Sequence, residues 1–116
     1  MTKSSMTVRQ RMRTIQAAML EGNVTPTFVR DALMELTGLA GSVADAQRQA
    51  DQEYALVLAQ ELSQHKSVAA ARIIAETTSA FWRAREAKDV ADQVERTEMN
   101  CRHYLVSLNQ EMRLAR

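Results

Sequence analysis

Aromatic and cationic side chains occur together in one segment of the chain. Residues 81–88 read Phe-Trp-Arg-Ala-Arg-Glu-Ala-Lys, and two further cations, Lys66 and Arg72, precede this segment. Single-stranded nucleic acid is bound by cations that follow its phosphates and by aromatic rings on which its bases stack. The pattern therefore predicts a nucleic-acid-binding site with these residues: Lys66, Arg72, Trp82, Arg83, Arg85 and Lys88. The alternative is structural, with Trp82 in the core and the arginines on a solvated face.

A second basic patch near the N-terminus comprises Arg9, Arg11 and Arg13. This patch either forms a solvated face or complements the stretch from Asp31 to Glu61, which holds six anions and one cation. Blocks of opposite charge in a helical chain can pair between helices or between subunits. Because the net charge of the whole chain is only +1, charge alone does not require a nucleic-acid partner.

Patterns for catalysis and metal binding are weak in this sequence. Cys101 and His103 are two residues apart, and side chains at that spacing on a helix point in different directions, so we interpret them as a core thiol and a surface histidine. Asp89, Asp92 and Glu95 recur every three residues, which is typical of a solvated acidic face. The sequence has no glycine-rich phosphate loop, no nucleophile motif and no zinc-ligand spacing. We expect a protein that is not an enzyme and that uses no metal and no cofactor.

The composition favours helices throughout the chain. Of the 116 residues, 46% are hydrophobic and only 4% are aromatic, and there are 3 glycines and 1 proline. So many helix formers with so few turn formers predict an all-α protein with an aliphatic core. The single cysteine cannot form an internal disulfide, and no apolar run is long enough to span a membrane. With no secretory signal sequence, we expect a cytoplasmic protein.

Apolar periodicity predicts three main helices within a single helical domain. The predicted helices cover residues 1–22, 25–64 and 67–115. Gly22 is a suitable stop for the first helix because it tolerates a left-handed backbone. Thr25 can cap the second helix, with Pro26 at its first position, and Ser67 can cap the third.

Two sites can interrupt the long predicted helices. Gly38 and Gly41 either break the second helix at residues 38–41 or let another helix approach closely, and each glycine costs only about 1 kcal/mol in a helix. In the third helix, residues 77–79 read Thr-Thr-Ser, which combines two β-branched residues with a capping residue type. We expect a kink or a restart of the helix at that point.

Apolar side chains form a seam along the third predicted helix, at alternating spacings of four and three. The seam comprises Ala87, Ala91, Val94, Glu98, Cys101, Leu105, Leu108 and Met112. This heptad pattern is typical of a coiled coil, and Glu98, its polar member, can fix the register if a partner faces it. We expect the second and third helices to pack as an antiparallel helical hairpin. Because the apolar stripes are longer than one copy can cover, we also expect a homo-oligomer.

The elements over residues 50–112 occur in a particular order. A helix ends in the polar turn at residues 63–67, a short Ala-rich helix comes next, a Thr/Ser break precedes Phe81-Trp82, and a long amphipathic helix ends in Ser107-Leu108. This layout resembles that of small helical phage proteins of the UvsY recombination-mediator type. The resemblance implies a ring-forming protein that binds single-stranded DNA, helps displace the single-strand binding protein and loads a RecA-like recombinase, in the host cytoplasm if it is phage-encoded.

The chain departs from that family's pattern in one respect. In the family, a basic helical segment before the polar turn contributes to DNA binding, whereas the matching residues 54–62 contain no cation. The departure moves the expected DNA contacts to the five cations of the predicted nucleic-acid-binding site, which are Lys66, Arg72, Arg83, Arg85 and Lys88. The leading hypothesis is a non-catalytic, homo-oligomeric recombination mediator that binds single-stranded DNA. The alternatives are a helical structural or adaptor protein of virion assembly, indicated by the heptad seam, and a small inhibitor that binds a host protein through a helical face.

Overall fold

The computed structural model describes residues 2–22 and 24–114, and the side chains of residues 8–22, 24–111 and 113–114. Its four helices are α1 (Thr2–Glu21), α2 (Pro26–Gln64), α3 (Val68–Ala75) and α4 (Ser79–Leu114). No strand occurs in the described part of the chain, so the all-α prediction is confirmed. The predicted helix limits at residues 1 and 115 lie outside the described residues, as does the side chain of Met112 in the predicted seam.

Local sequence signals set the boundary between α1 and α2. Gly22 has a positive φ of 75° and its N–H donates to the carbonyl of Met19 at 3.1 Å, which ends α1 in the way glycine favours. The hydroxyl oxygen of Thr25 then accepts the N–H of Phe28 at 3.1 Å, and Pro26 is the first residue of α2. The predicted stop and cap are both confirmed.

The second helix is continuous through Gly38 and Gly41. Both glycines are at the surface, and no other part of the described chain lies within 4 Å of a Cβ placed at either position. The break considered at residues 38–41 is therefore absent from this helix. The alternative, a close approach by another helix, is not made by any described residue of the same chain.

A turn at residues 76–78 divides the helix predicted over residues 67–115 into α3 and α4, so of the kink and the restart expected at this point the restart is the one that occurs. The hydroxyls of Thr77 and Thr78 donate to the carbonyls of Ile74 and Ala75, each at 2.6 Å. The Thr78 hydroxyl oxygen also accepts the N–H of Phe81 at 3.4 Å. Threonine side chains that bond nearby backbone groups compete with helical hydrogen bonds, so the helix restarts here, and the described residues form four helices where three main helices were predicted.

Ser67 caps α3 as predicted. Its backbone is extended, with φ −112° and ψ 132°, and its side chain accepts the N–H of Ala70 at 3.3 Å. The preceding helix ends at Gln64, so residues 65–67 form the connection. A cap of this kind stabilises a helix by about 1 kcal/mol, which matters for a helix of only 8 residues.

The chain divides into two compact units. Unit 1 consists of the described parts of residues 1–42 and 92–116, which contribute α1, the first part of α2 and the last part of α4. Its larger fully buried side chains are Met12, Ile15, Val29, Leu36, Val94, Thr97 and Cys101. Burying an aliphatic side chain of this size stabilises a fold by about 1.5–3 kcal/mol, so unit 1 has an aliphatic core of ordinary strength.

A polar contact lies inside the core of unit 1. Thr97 is 0% exposed, and its hydroxyl accepts the side-chain amide of Gln16 at 3.0 Å while donating to the carbonyl of Gln93 at 2.8 Å. Glu98, which we considered as the register-setting residue, pairs instead with Arg102 on its own helix at 3.3 Å. Thr97, and not Glu98, is therefore the residue of this adjacent pair that contacts α1.

Unit 2 consists of residues 43–91 and has a core of small side chains. Its buried residues are Val43, Ala50, Ala71, Ala75, Ala80, Ala84 and Val90. None of them is larger than valine. Unit 2 leaves exposed Val68 and five apolar side chains larger than valine, which are Leu56, Leu62, Ile73, Ile74 and Trp82. Within this unit the two long helices pack together, as predicted.

None of the helices, over the residues that the structure describes, combines the length and the hydropathy that crossing a membrane demands.

Candidate nucleic-acid interface

A row of aromatic rings leads from α2 to the surface of α4 within unit 2. The half-buried rings of Tyr54 and Phe81 have centroids 5.5 Å apart, tilted by 54°. Trp82 lies edge-on to Phe81, also at 5.5 Å and at an interplanar angle of 70°. Pairs of this geometry contribute about 0.5–1.5 kcal/mol beyond the area they bury. Tyr54 and Phe81 therefore support the base of the Trp82 side chain.

Trp82 itself is 60% exposed. The core location that we considered for this residue is therefore excluded. An indole with this exposure has ring surface available to a stacking partner, which is what the binding of an unpaired base requires.

Arg85 is placed beside the same rings. Its guanidinium carbon lies 5.7 Å from the centroid of Phe81, within the range of a cation–π contact. Steps of three residues on an α-helix turn by about 60° and rise about 4.5 Å, so Trp82, Arg85 and the exposed Lys88 follow one another along a single strip of α4. We call these three residues the Trp82 face.

The other predicted site residues lie apart from this face. Arg83 forms an ion pair with Glu53 of α2 at 3.7 Å, with both side chains about half exposed. Lys66 lies in the connection before α3 and Arg72 lies on α3. Both are exposed, and within the described part of the chain neither forms an ion pair or cation–π contact with the Trp82 face. The structure thus brings together three of the six predicted residues.

Tyr54 and Glu53 were missed as contributors to the site. Both belong to α2, and Tyr54 falls on the apolar stripe of that helix, where the pattern indicates only a core position. Their role depends on which part of α2 faces Phe81 and Arg83. No local pattern in either segment specifies that pairing.

The charge of unit 2 is nearly balanced. Residues 43–91 contain six cations and seven anions, so the unit has no overall positive field to attract a polyanion. Glu86 and Asp89 also lie close to Arg85 and Lys88 in the sequence. Any attraction for phosphate must therefore be local to the Trp82 face.

One of the three cations of the N-terminal basic patch forms an ion pair within unit 1. Arg11 of α1 forms an ion pair with Glu35 of α2, while Arg13 is exposed and Arg9 is half-buried. This pair supports the interpretation in which the patch complements the acidic stretch that begins at Asp31. Because exposed ion pairs contribute only about 0–1 kcal/mol, the contact orients α1 more than it stabilises the fold.

The cysteine, histidine and acidic residues singled out in the sequence take the positions expected of core and surface residues. Cys101 is buried with its sulfur 3.8 Å from that of Met19, whereas His103 is exposed. Burial, and secondarily the charge of Glu98, raise the pKa of the Cys101 thiol above its ordinary value, so the thiol is protonated and unreactive. Asp89, Asp92 and Glu95 are all exposed. Over the described residues, no group of three His, Cys, Asp or Glu side chains could hold a metal ion.

Comparisons of the chain with protein-family models, with curated proteins and with solved structures found no significant match. The resemblance to recombination mediators of the UvsY type therefore stays a prediction from the order of elements.

Proposed function

We propose that this chain is a non-catalytic helical protein that binds single-stranded DNA through the Trp82 face. The observation that carries the proposal is the position of its one tryptophan, 60% exposed and supported by a row of rings, beside Arg85. A base stacks on the indole, and Arg85 and Lys88, which follow Trp82 along α4, neutralise successive phosphates on one side of the stacked nucleotide. Stacking of this type is tolerant of sequence, because every base has a π-face.

Self-association belongs to the same proposal. With two or three cations at the site, one copy releases few counterions, and the slope of log K against log salt is about −1.4 to −2.1. Binding of one copy is therefore weak. Several copies on one strand bind more tightly because the later contacts become intramolecular. A recombination mediator that loads a RecA-like recombinase, and acts against a single-strand binding protein, needs such a multivalent surface.

The aromatic contribution is tested by fluorescence anisotropy of a labelled oligo-dT at about 50 mM salt, where phosphate contacts are strong. We expect Trp82→Ala to weaken binding by roughly 10- to 100-fold, since stacking is worth about 1–3 kcal/mol per base. Trp82→Phe should retain part of the affinity because it keeps a π-face. An absence of binding by the unaltered protein at this salt concentration would refute the proposal outright.

The cationic contribution is tested with a matched charge reversal in the same unit. Arg85→Glu combined with Lys88→Glu should abolish binding. Arg48→Glu is the control, because Arg48 is an exposed cation of α2 that pairs with Asp45 at 3.3 Å and lies outside the Trp82 face. If Arg48→Glu reduces affinity as much as Arg85→Glu, binding is a general charge effect and the assigned surface is wrong.

A second candidate function is a self-assembling structural or adaptor protein, and the exposed apolar side chains of unit 2 favour it. Five apolar residues larger than valine are exposed there, whereas none larger than valine is buried. Such surfaces mark protein interaction sites more often than nucleic-acid sites. Light scattering with and without oligonucleotide separates the candidates, because the adaptor self-assembles and shows no change in mass when DNA is added.

A further inference from the structure

The third helix packs with its small side chains inward and its large apolar side chains outward. Ala71 and Ala75 are 0% exposed, whereas Ile73 is 66% exposed and Val68 is 59% exposed. Position 73 is about 160° around the helix from each of the two buried alanines, so Ile73 occupies the middle of the outward face. A helix that packs only against its own core buries its large apolar side chains, whereas α3 buries small ones and exposes the larger Ile73.

Two residues of opposite charge lie on one side of Ile73 on this outward face. Arg72 and Glu76 are four residues apart and therefore lie on the same side of α3. Both are exposed, and neither has an ion-pair partner in the part of the chain that the structure describes. An apolar centre with one cation and one anion on the same flank is a self-complementary arrangement.

Two antiparallel copies of α3 would match this arrangement. When a twofold axis relates two identical antiparallel helices, a residue on the N-terminal side of the axis in one helix faces the residue at the same distance on the C-terminal side of the axis in the other helix. With the axis near residue 74, Arg72 of each copy lies opposite Glu76 of the second copy, and Ile73 packs against Ile73 of the second copy. Both ion pairs lie on the same side of the Ile73 contact, because a twofold axis perpendicular to the two helices places the same side of each helix together.

We propose that the outward face of α3, formed by Arg72, Ile73 and Glu76, is the surface through which a second copy of this chain binds, in antiparallel orientation. The inference deepens the self-association part of the proposed function, on which it rests, and does not depend on DNA binding. The patch is far smaller than the roughly 20–30 residues per side of a standard interface, so the pairing is weak and varies with concentration. It leaves the Trp82 face free and removes Arg72 from the set of DNA contacts.

Sedimentation velocity over a range of protein concentrations, without DNA, tests the apolar centre of the patch. We expect Ile73→Glu to weaken self-association at least tenfold. Leu56→Glu is the matched control, since Leu56 is also an exposed apolar residue of unit 2, at 73%, but lies on α2. Helix content by circular dichroism shows that both variants are folded. Equal losses in the two variants would overturn the proposal.

Charge reversal tests the reciprocal ion pairs and the orientation. Arg72→Glu alone, or Glu76→Arg alone, puts like charges opposite each other twice, and each should weaken association about tenfold. The double variant restores the pairing with its signs exchanged and should associate like the unaltered protein. A double variant no better than the single variants, or an unaltered protein that is monomeric at every concentration, would overturn the proposal. Oligonucleotide binding is measured separately, so these outcomes are distinct from a failure of the Trp82 face.

Discussion

Replacing the two glycines within α2 by alanine should stabilise the protein. Gly38 and Gly41 are interior helical residues without positive φ, and a Cβ at either position meets no other part of the described chain within 4 Å. Alanine therefore fits without strain, and it has the higher helix propensity because glycine loses more backbone entropy when the helix forms.

The expected gain is about 1 kcal/mol for Gly38→Ala or Gly41→Ala, and about 2 kcal/mol for both if the two substitutions are additive. With a urea m-value of about 1–3 kcal/mol/M, the double variant should raise the unfolding midpoint by roughly 1 M. The midpoint of thermal unfolding should rise by about 4 °C for each substitution.

Urea unfolding followed by far-ultraviolet circular dichroism measures this gain at low protein concentration. Ala46→Gly is the control, because Ala46 is exposed on the same helix and the reverse substitution there should lose about 1 kcal/mol. The reasoning fails if Ala46→Gly destabilises as expected while Gly38→Ala and Gly41→Ala give no gain. In that case α2 is not a continuous helix at the glycines in solution.

Further predictions concern buried and exposed single side chains. Thr97→Val should cost about 1 kcal/mol in urea unfolding because the Gln16 amide loses its partner, and adding Gln16→Leu should recover most of that loss. The thiol of Cys101 should react slowly with a disulfide reagent in the native protein and rapidly in urea, and a fast native reaction would contradict its burial. Because the pKa of Cys101 is raised on folding, its contribution to stability is present below its ordinary pKa of 9.0 and is lost as pH rises further, so Cys101→Ala should flatten the decline in unfolding free energy above that pH. Trp82 should emit at a long wavelength and be readily quenched by acrylamide, and a blue-shifted, protected emission would show that a partner or a second copy covers it.

Short-range chemistry made the helix boundaries predictable. Gly22, Thr25 and Ser67 each act on backbone groups within three residues, so their roles could be recognised without knowing the fold. The sequence predicted an interruption at residues 76–78 but did not decide between a kink and a restart of the helix. The Thr-Thr-Ser sequence indicated a weak point, but whether two hydroxyls kink a helix or end it depends on how the next helix packs.

Long-range packing was not predictable from periodicity. Thr97 and Glu98 are adjacent, and the heptad pattern alone admits either one, because Thr97 divides the seven residues from Val94 to Cys101 as three and four and Glu98 divides them as four and three. Only the position of α1, through Gln16, selects Thr97. Similarly, the pattern of α3 gives no indication that Ile73 points away from its own unit, since apolar periodicity is usually interpreted as an inward face. The rings of Tyr54 and Phe81 were recognised as apolar residues but not as a support for Trp82.

The two units differ in how much of the chain must be synthesised before each unit can fold. Unit 2 is one continuous stretch, whereas Gln16 and Thr97, which join the two segments of unit 1, are separated by 81 residues. During synthesis at about 5–20 residues per second, α1 therefore waits several seconds for its docking partner on α4. Over that interval α1 lacks the part of its native cover that α4 provides, and it is a substrate for chaperones and proteases. Protease treatment of ribosome-bound chains of increasing length should cut α1 until residues 97–101 have emerged and protect it afterwards, and protection at shorter lengths would show that α1 docks elsewhere first.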